Sequence, residues 1–200
     1  MTDVHAKLAE LGLTLPEAAA PVAAYVPTVL ASGLLHISGQ LPFKDGAVMT
    51  GRLGEDRDVA YGQEAAERCA LMLVAQIEKA LGGFDRVERI VKLGVFVNSA
   101  PSFTEQPQVG NGASELMEKL FGEAGRHARA AVGVAALPRG AAVEVDAIVA
   151  VRLSPAADPG RRKRYNPVSP PQHRRRHCHG SATGDCAAQR NAAKTPQQSE

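Results

Sequence analysis

The chain contains no tryptophan, and only 4% of its 200 residues are aromatic. Sequence-tolerant binding of single-stranded nucleic acid rests on aromatic platforms set among cations, so this composition speaks against a base-stacking module. Cysteine is scarce too: Cys69, and then Cys178 and Cys186 near the C-terminus. Three thiols make no disulfide framework, and the simplest setting for them is a reducing cytoplasm. No run of 18 apolar residues occurs, so no membrane span is expected. The opening "MTDVHAKLAELGL" reads as a short amphipathic helix behind an Asp3 cap, without the basic start and long apolar centre of a secretion signal.

A further absence divides the chain. Residues 155–200 contain no Leu, Ile, Met or Phe, and they hold nine Lys/Arg against three Asp/Glu. The remainder holds 14 basic and 18 acidic residues, so a tail of +6 follows a unit of −4. One Val and one Tyr cannot offset the ordering entropy of such a segment. The sequence therefore predicts a folded domain over residues 1–154 and a disordered basic tail over 155–200. Tail runs such as "GRRKR" predict weak, non-specific contact with polyanions; otherwise no nucleic-acid partner is expected. The stretch "HRRRHCHG" (173–180) lacks a second ligand pair at structural-zinc spacing, so no metal site is predicted.

Within the first 154 residues, hydrophobic periodicity alternates between two and 3.6. "AYVPTVLASGLLHISGQL" predicts two strands around a turn at Ser32-Gly33, with a short strand near Ala47–Thr50 after a Gly-rich loop. A helix is predicted from about Asp58 to Leu81, with Ala66, Ala70, Leu73, Val74, Ile77 and Leu81 as its apolar stripe and Gly82-Gly83 as its end. Cys69 falls among those core positions and reads as inert. "RVERIVKLGVFVN" reads as a strand. A second helix runs from about Gln108 to Phe121. Last comes "GRHARAAVGVAALPRGAAVEVDAIVAV" (125–151), which reads as two adjacent strands joined by a short loop. The fold class is α+β, a mixed sheet with two helices packed on one face.

That last segment carries the candidate chemistry. Alternation places Arg129, Ala131 and Gly133 on one face and Glu144, Asp146 and Ile148 on one face of the partner strand. The Arg129 face looks almost bare, which leaves room beside the guanidinium. Arginine grips a carboxylate through two parallel hydrogen bonds and keeps its charge. A glutamate close by can hold or activate water. A structural ion pair on a half-wet sheet would use the same residues. His36 reads as a packed or rim histidine, and His127 is left without a role.

"YVPTVLASGLLHISGQLP", "VKLGVFVNS", "HARAAVGVAALP" and "AVEVDAIVAV" together resemble the signature blocks of the reactive intermediate deaminase (RidA) family, also called YjgF-type or L-PSP endoribonuclease-like. The blocks fall in order over about residues 15 to 152. The resemblance implies a chorismate-mutase-like fold, a homotrimer with a pocket at each subunit interface, no cofactor, and hydrolysis of 2-imino acids such as 2-iminobutyrate and 2-iminopropanoate to 2-keto acids and ammonia. By position it implies that Arg129 binds the substrate carboxylate and that Glu144 holds the attacking water. Tyr25 would line the pocket mouth, Gly39 would meet the ligand through its backbone, and Ala131 would line the site where many members have cysteine. Gly133 stands where many have glutamate, and Asn111 resembles a pocket asparagine. Asp146 reads as structural. Two further readings use the same arginine or the same family name: a non-catalytic trimer that binds a small carboxylate, and an endoribonuclease, which the acidic globular part disfavours.

Overall fold

The side chain of Asp58 accepts the backbone N–H of Tyr61 at 2.8 Å and so starts the longest helix, Val59–Leu81. Gly82 ends it in the left-handed conformation (φ 74°), which a residue without Cβ adopts at little cost. The computed structural model in which these features are seen describes residues 3–19 and 24–152. The expected disordered tail, its boundary at 154, its polyanion contacts and the "HRRRHCHG" stretch lie outside the described residues.

The elements in chain order are α1 (Val4–Glu10), β1 (Thr28–Ala31), β2 (Leu34–Gln40), β3 (Phe43–Lys44), β4 (Ala47–Val48), α2 (Val59–Leu81), β5 (Val87–Asn98), α3 (Gln106–Phe121), β6 (Ala128–Val134) and β7 (Val143–Val151). Asp3 caps α1 by accepting the Ala6 N–H at 3.1 Å, as its position predicts. Ser32 and Gly33 both have positive φ (51° and 77°), the turn type whose twist matches a two-residue hairpin, and β1 and β2 pair antiparallel across it. The Gly-rich loop after β2 contains the small hairpin β3–β4, so the strand predicted near Ala47–Thr50 is shorter and has a partner.

Five strands form one mixed sheet in the order β1-β2-β7-β5-β6. Both β2 and β5 pair antiparallel with β7, while β5 and β6 run parallel with α3 as the crossover. This corrects the hairpin expected over residues 125–151: β6 and β7 are not neighbours, because β5 lies between them. The physical reason is burial. Every second residue of β7, from Val143 to Val151, is buried, and Leu93, Gly94 and Val95 of β5 are buried in succession, as central strands require. β6 offers mostly Ala and Gly and takes the edge. Its link to β7 spans 135–142, includes Pro138 and a left-handed Arg139 (φ 59°), and is longer than a tight hairpin turn.

The core lies between one face of the sheet and the helices. Leu35, Ile37, Leu93, Val95, Val97, Val143, Val145, Ala147 and Val149 meet Ala66, Cys69, Ala70, Leu73, Val74 and Ile77 of α2 and Val109, Ala113, Leu116, Met117 and Leu120 of α3. Each fully buried Leu, Ile or Val adds about 1.5–3 kcal/mol relative to exposure. Of the predicted α2 stripe, Ala66, Ala70, Leu73, Val74 and Ile77 are buried and Leu81 is partly so, and Leu71, Met72, Ala75 and Gln76 are buried as well. α2 and α3 pack closely where Gly112 lies against the backbone carbonyl of Gln63 and Gly62 against Val109. Among the described residues the opposite sheet face carries no helix.

Candidate active site

Arg129 stands beside Leu93 in the β5–β6 register, so its side chain leaves the sheet on the helix-covered face. There α3 holds it. Nη1 donates to Asn111 Oδ1 (3.1 Å) and to Ser114 Oγ (2.8 Å), and Nη2 donates to the Pro107 carbonyl (2.9 Å). Asn111 and Ser114 are three residues apart and so lie side by side on the helix. Gly110 completes the seat: a Cβ there would come within 3.1 Å of Nη1.

Three of the five guanidinium N–H groups are thereby used. The Nε–H and one Nη2–H have no partner among the described residues. Both nitrogens are bonded to the same carbon, and N–H groups so placed can meet the two oxygens of a carboxylate. The expected bare face is therefore corrected. α3 occupies it, and what remains is a half-buried guanidinium with two N–H groups unused among the described residues. Gly133 lies beside Ser99 and Gln106, a pair 3.3 Å apart: a Cβ there would come 2.6 Å from Ser99 Oγ and 2.9 Å from Gln106 Nε2, and all three line a groove of about 380 Å³. Ala131 is half-buried and packs against the core two residues beyond Arg129.

Glu144 pairs with Phe96 in the β5–β7 register, one residue out of phase with the buried Val143 and Val145, so it leaves the sheet on the helix-free face. Its carboxylate lies against the Cα of Gly39, and a Cβ at that position would overlap it. Burial pushes the Glu144 carboxyl above its ordinary value, and the neighbouring Asp146 charge pushes in the same direction. Asp146 accepts the backbone N–H of Gly94 at 2.9 Å, which fits its structural reading.

Tyr25 is half exposed just before β1. Ser38 ties the segment that follows it to the residue before Gly39, donating Oγ–H to the Val26 carbonyl and N–H to the Pro27 carbonyl, both at 3.0 Å. Gly39 and Glu144 thus belong to one patch, with the Val26–Pro27 segment after Tyr25 tied beside it, and Arg129 and Ala131 belong to another on the opposite face. One chain does not bring Arg129 and Glu144 together, contrary to the small concavity expected from adjacent strands.

His36 is exposed on the helix-free face, at the rim of a groove of about 280 Å³ that also takes in Lys92 and Asp146. Cys69 is fully buried, with Sγ 3.5 Å from the Val143 carbonyl, and burial raises its thiol well above the ordinary range. His127 shares the Arg129 face and lies 3.0 Å from Ser114 Oγ through Nε2 and 2.6 Å from the Gly125 carbonyl through Nδ1. Burial lowers its pKa. Pro107 and Ser114 are the site residues that sequence reasoning missed, and His127, left without a role there, joins them. The available signals were the period of two linking His127 to Arg129 and the helical spacing linking Ser114 to Asn111.

A mixed five-stranded sheet with its helices on one face, an arginine seated on the crossover helix and a half-buried carboxylate on the other face together define a class of α+β protein. A family model described as "YjgF/chorismate mutase-like, putative endoribonuclease" matches residues 5–148. The chain belongs to that family, and its fold is the chorismate-mutase-like one. It is 60% identical over 148 residues to "Protein TCP17" of Trypanosoma cruzi, covering 73% of this chain and 92% of the relative. It is similar to the crystal structure of Atu1372, a protein of unknown function from Agrobacterium tumefaciens, at 50% identity and a TM-score of 0.71, covering 74% of this chain and 92% of that one. It is 24% identical over 141 residues to a 2-iminobutanoate/2-iminopropanoate deaminase of Dermatophagoides farinae, covering 70% of this chain and 94% of the relative. Among the described residues no helix is long and apolar enough to cross a membrane.

Proposed function

We propose that this protein hydrolyses 2-imino acids to 2-keto acids and ammonia. The observation that carries the reading is that Arg129, which α3 holds in one orientation, keeps its Nε–H and one Nη2–H unused among the described residues. A substrate carboxylate takes these groups in two charge-assisted bonds. Its imine carbon is then fixed relative to the protein, and an imine needs little beyond orientation and a proton shuttle.

Glu144 supplies the shuttle. Water attacks the imine carbon, a C–O bond forms, and Glu144 takes a water proton. Glu144 returns that proton to the amine nitrogen, the C–N bond of the resulting ammonium group breaks and ammonia leaves. Loss of the hydroxyl proton completes the keto group. A carboxyl whose pKa is raised by burial accepts and holds a proton more readily than an exposed one, which suits this role.

Because Arg129 and Glu144 leave one sheet on opposite faces, this reading draws the two from different chains. It includes a homotrimer in which the β6 edge of one copy meets the helix-free face of the next, so that each pocket takes Arg129 and Ala131 from one copy and Tyr25, Gly39 and Glu144 from its neighbour. The exposed Val29 and Val132 on the helix-free face fit such burial. A buried free thiol at Cys69 suits a reducing, cytoplasmic setting.

The test is keto-acid and ammonia release from 2-iminobutyrate, generated in place by an amino-acid oxidase, together with light scattering. Accelerated release over the spontaneous rate by a trimer is expected. Binding of 2-ketobutyrate without acceleration would leave a carboxylate-binding protein, and cleavage of a model RNA in place of imine hydrolysis would overturn the reading.

A further inference from the structure

Ser114 and His127 form a relay behind Arg129 whose direction is set by chemistry. The Gly125 carbonyl can only accept, so at 2.6 Å it fixes the His127 proton on Nδ1. The other ring nitrogen then presents a lone pair, and the partner 3.0 Å from it, Ser114 Oγ, must donate its single proton there. That leaves the serine oxygen a lone pair facing Arg129, whose Nη1–H reaches it at 2.8 Å. Every donor has an acceptor: Arg129 Nη1–H to Ser114 Oγ, Ser114 O–H to His127 Nε2, and His127 Nδ1–H to the Gly125 carbonyl. The order holds only while His127 is neutral.

We infer that Ser114 and His127 are positioning residues for the Arg129 carboxylate clamp, and that His127 takes up a proton when a carboxylate binds there. The inference rests on the clamp reading above and adds a proton linkage to it. With the ring removed, the serine hydroxyl is free to turn its proton toward Nη1, which loosens the cation, whereas a protonated ring donates Nε2–H to the second lone pair of Oγ and keeps that proton away from Nη1. When a carboxylate neutralises Arg129, the repulsion that disfavours a second cation one hydroxyl away is removed, and protonation of the ring becomes easier.

The groups around the ring fit this assignment. Arg129 faces it from β6 and disfavours its charge, as burial does, while Glu118 of α3 favours it. Glu118 is itself bonded to Arg126 Nε at 2.9 Å, and Arg126 also pairs with Glu123 at 3.0 Å. From β5, Arg89 donates to the Arg126 carbonyl at 3.2 Å. The carboxylate that acts on His127 is thus already engaged elsewhere, and a ligand on Arg129 changes the local charge most.

The experiment is calorimetric binding of 2-ketobutyrate to the full chain from pH 5 to 8, in buffers of different ionisation enthalpy, with NMR of the His127 ring. The wild type should show the Nδ1–H tautomer, proton uptake on binding, and tighter binding as the pH falls through the depressed pKa of His127. Ser114→Ala should weaken binding about tenfold, the worth of one charge-assisted hydrogen bond, and Ser114→Thr should recover it. His127→Ala should weaken binding, whereas His127→Gln, whose amide both donates and accepts, should recover most of the affinity but bind without proton uptake from this position. Glu144→Gln separates the other carboxyl that titrates near the site. If Arg129→Ala binds as tightly as wild type, the clamp reading and this inference fall together. If binding requires Arg129 but proton uptake and affinity are unchanged in the Ser114 and His127 variants, or if the ring carries its proton on Nε2, this inference alone is overturned.

Discussion

Arg129 and Glu144 leave one sheet from opposite faces, with β5 between their strands, so neither can reach a ligand held by the other within a chain. A site that uses both is therefore shared between copies, and subunit mixing tests this directly. Arg129→Ala and Glu144→Gln should each be inactive alone. Refolded together at equal amounts, about one quarter of the interfaces should pair an intact arginine with an intact glutamate, if copies assemble at random into a closed ring. About a quarter of wild-type imine hydrolysis should return. A mixture as inactive as its parents contradicts a site shared in this way.

The clamp itself depends on fork geometry. Arg129→Lys keeps the charge but replaces a planar pair of N–H groups by a point charge, and it also gives up the bonds to Asn111, Ser114 and Pro107. Its kcat/KM should fall by at least tenfold, with most of the loss in KM, and Arg129→Ala should fall further. Unchanged far-UV dichroism would show that the fold is intact in both. A lysine variant with wild-type kinetics would contradict two-bond binding.

Much of this architecture was legible in the chain because it depends on local chemistry. The Asp3 and Asp58 caps, the Ser32-Gly33 turn and the α2 stripe are written in a few adjacent residues each, and period two on β7 separated Val143 and Val145 from Glu144. Strand order was not legible in this way. "AAVGVAALPRGAAVEV" looks like a hairpin until the burial demands of β5 are known, and those arise from packing against α2 and α3. Once β5 intervenes, the bare face of Arg129 becomes a helix seat, and the expected Arg–Glu concavity separates onto two faces. Ser114 escaped notice, and His127 stayed without a role, for the same reason. Thirteen positions apart in sequence, they meet only through the β5–α3–β6 crossover.

Gly39 sets the position of Glu144. The Gly39→Ala methyl would fall on the Glu144 carboxylate, and the cheap response is rotation of that side chain rather than movement of backbone. Stability should therefore change little, while imine hydrolysis should drop about a hundredfold, at the lower end of what a misplaced general base costs. Thermal melts and kcat measured on the same preparation check both halves. An active Gly39→Ala, or one that fails through unfolding, contradicts this placement.

The raised pKa of Glu144 has a definite sign in stability. Its folded carboxyl holds its proton more tightly than the unfolded one, through burial and then through Asp146. Folding is thus favoured by this group below the unfolded pKa and loses that contribution as pH rises through the folded value. Glu144→Gln cannot ionise. It should melt above wild type at pH 7.5, and the difference should vanish toward pH 4. A variant that melts below wild type at pH 7.5 contradicts a desolvated carboxylate at this position.

Gly112 lies where α2 and α3 come closest, against the carbonyl of Gln63, whose side-chain Nε2 also donates to the Gln108 carbonyl at 3.0 Å. Gly112→Ala sets two effects against each other. Alanine gains about 1 kcal/mol of helix propensity, whereas overpacking against a well-packed neighbour costs about 1–3 kcal/mol. Because the contact is with backbone, no rotamer relieves it and the helices must separate, so the cost should win by about 1–2 kcal/mol and the melting temperature should fall by several degrees. The displacement has a functional consequence as well. Asn111 and Ser114 flank Gly112 on α3 and carry two of the three bonds that aim Arg129. The variant should therefore bind 2-ketobutyrate more weakly at a temperature where it is fully folded, and Arg129→Ala should add less to that loss than it costs wild type. Full affinity in a destabilised Gly112→Ala would show that Arg129 is aimed independently of where α3 sits.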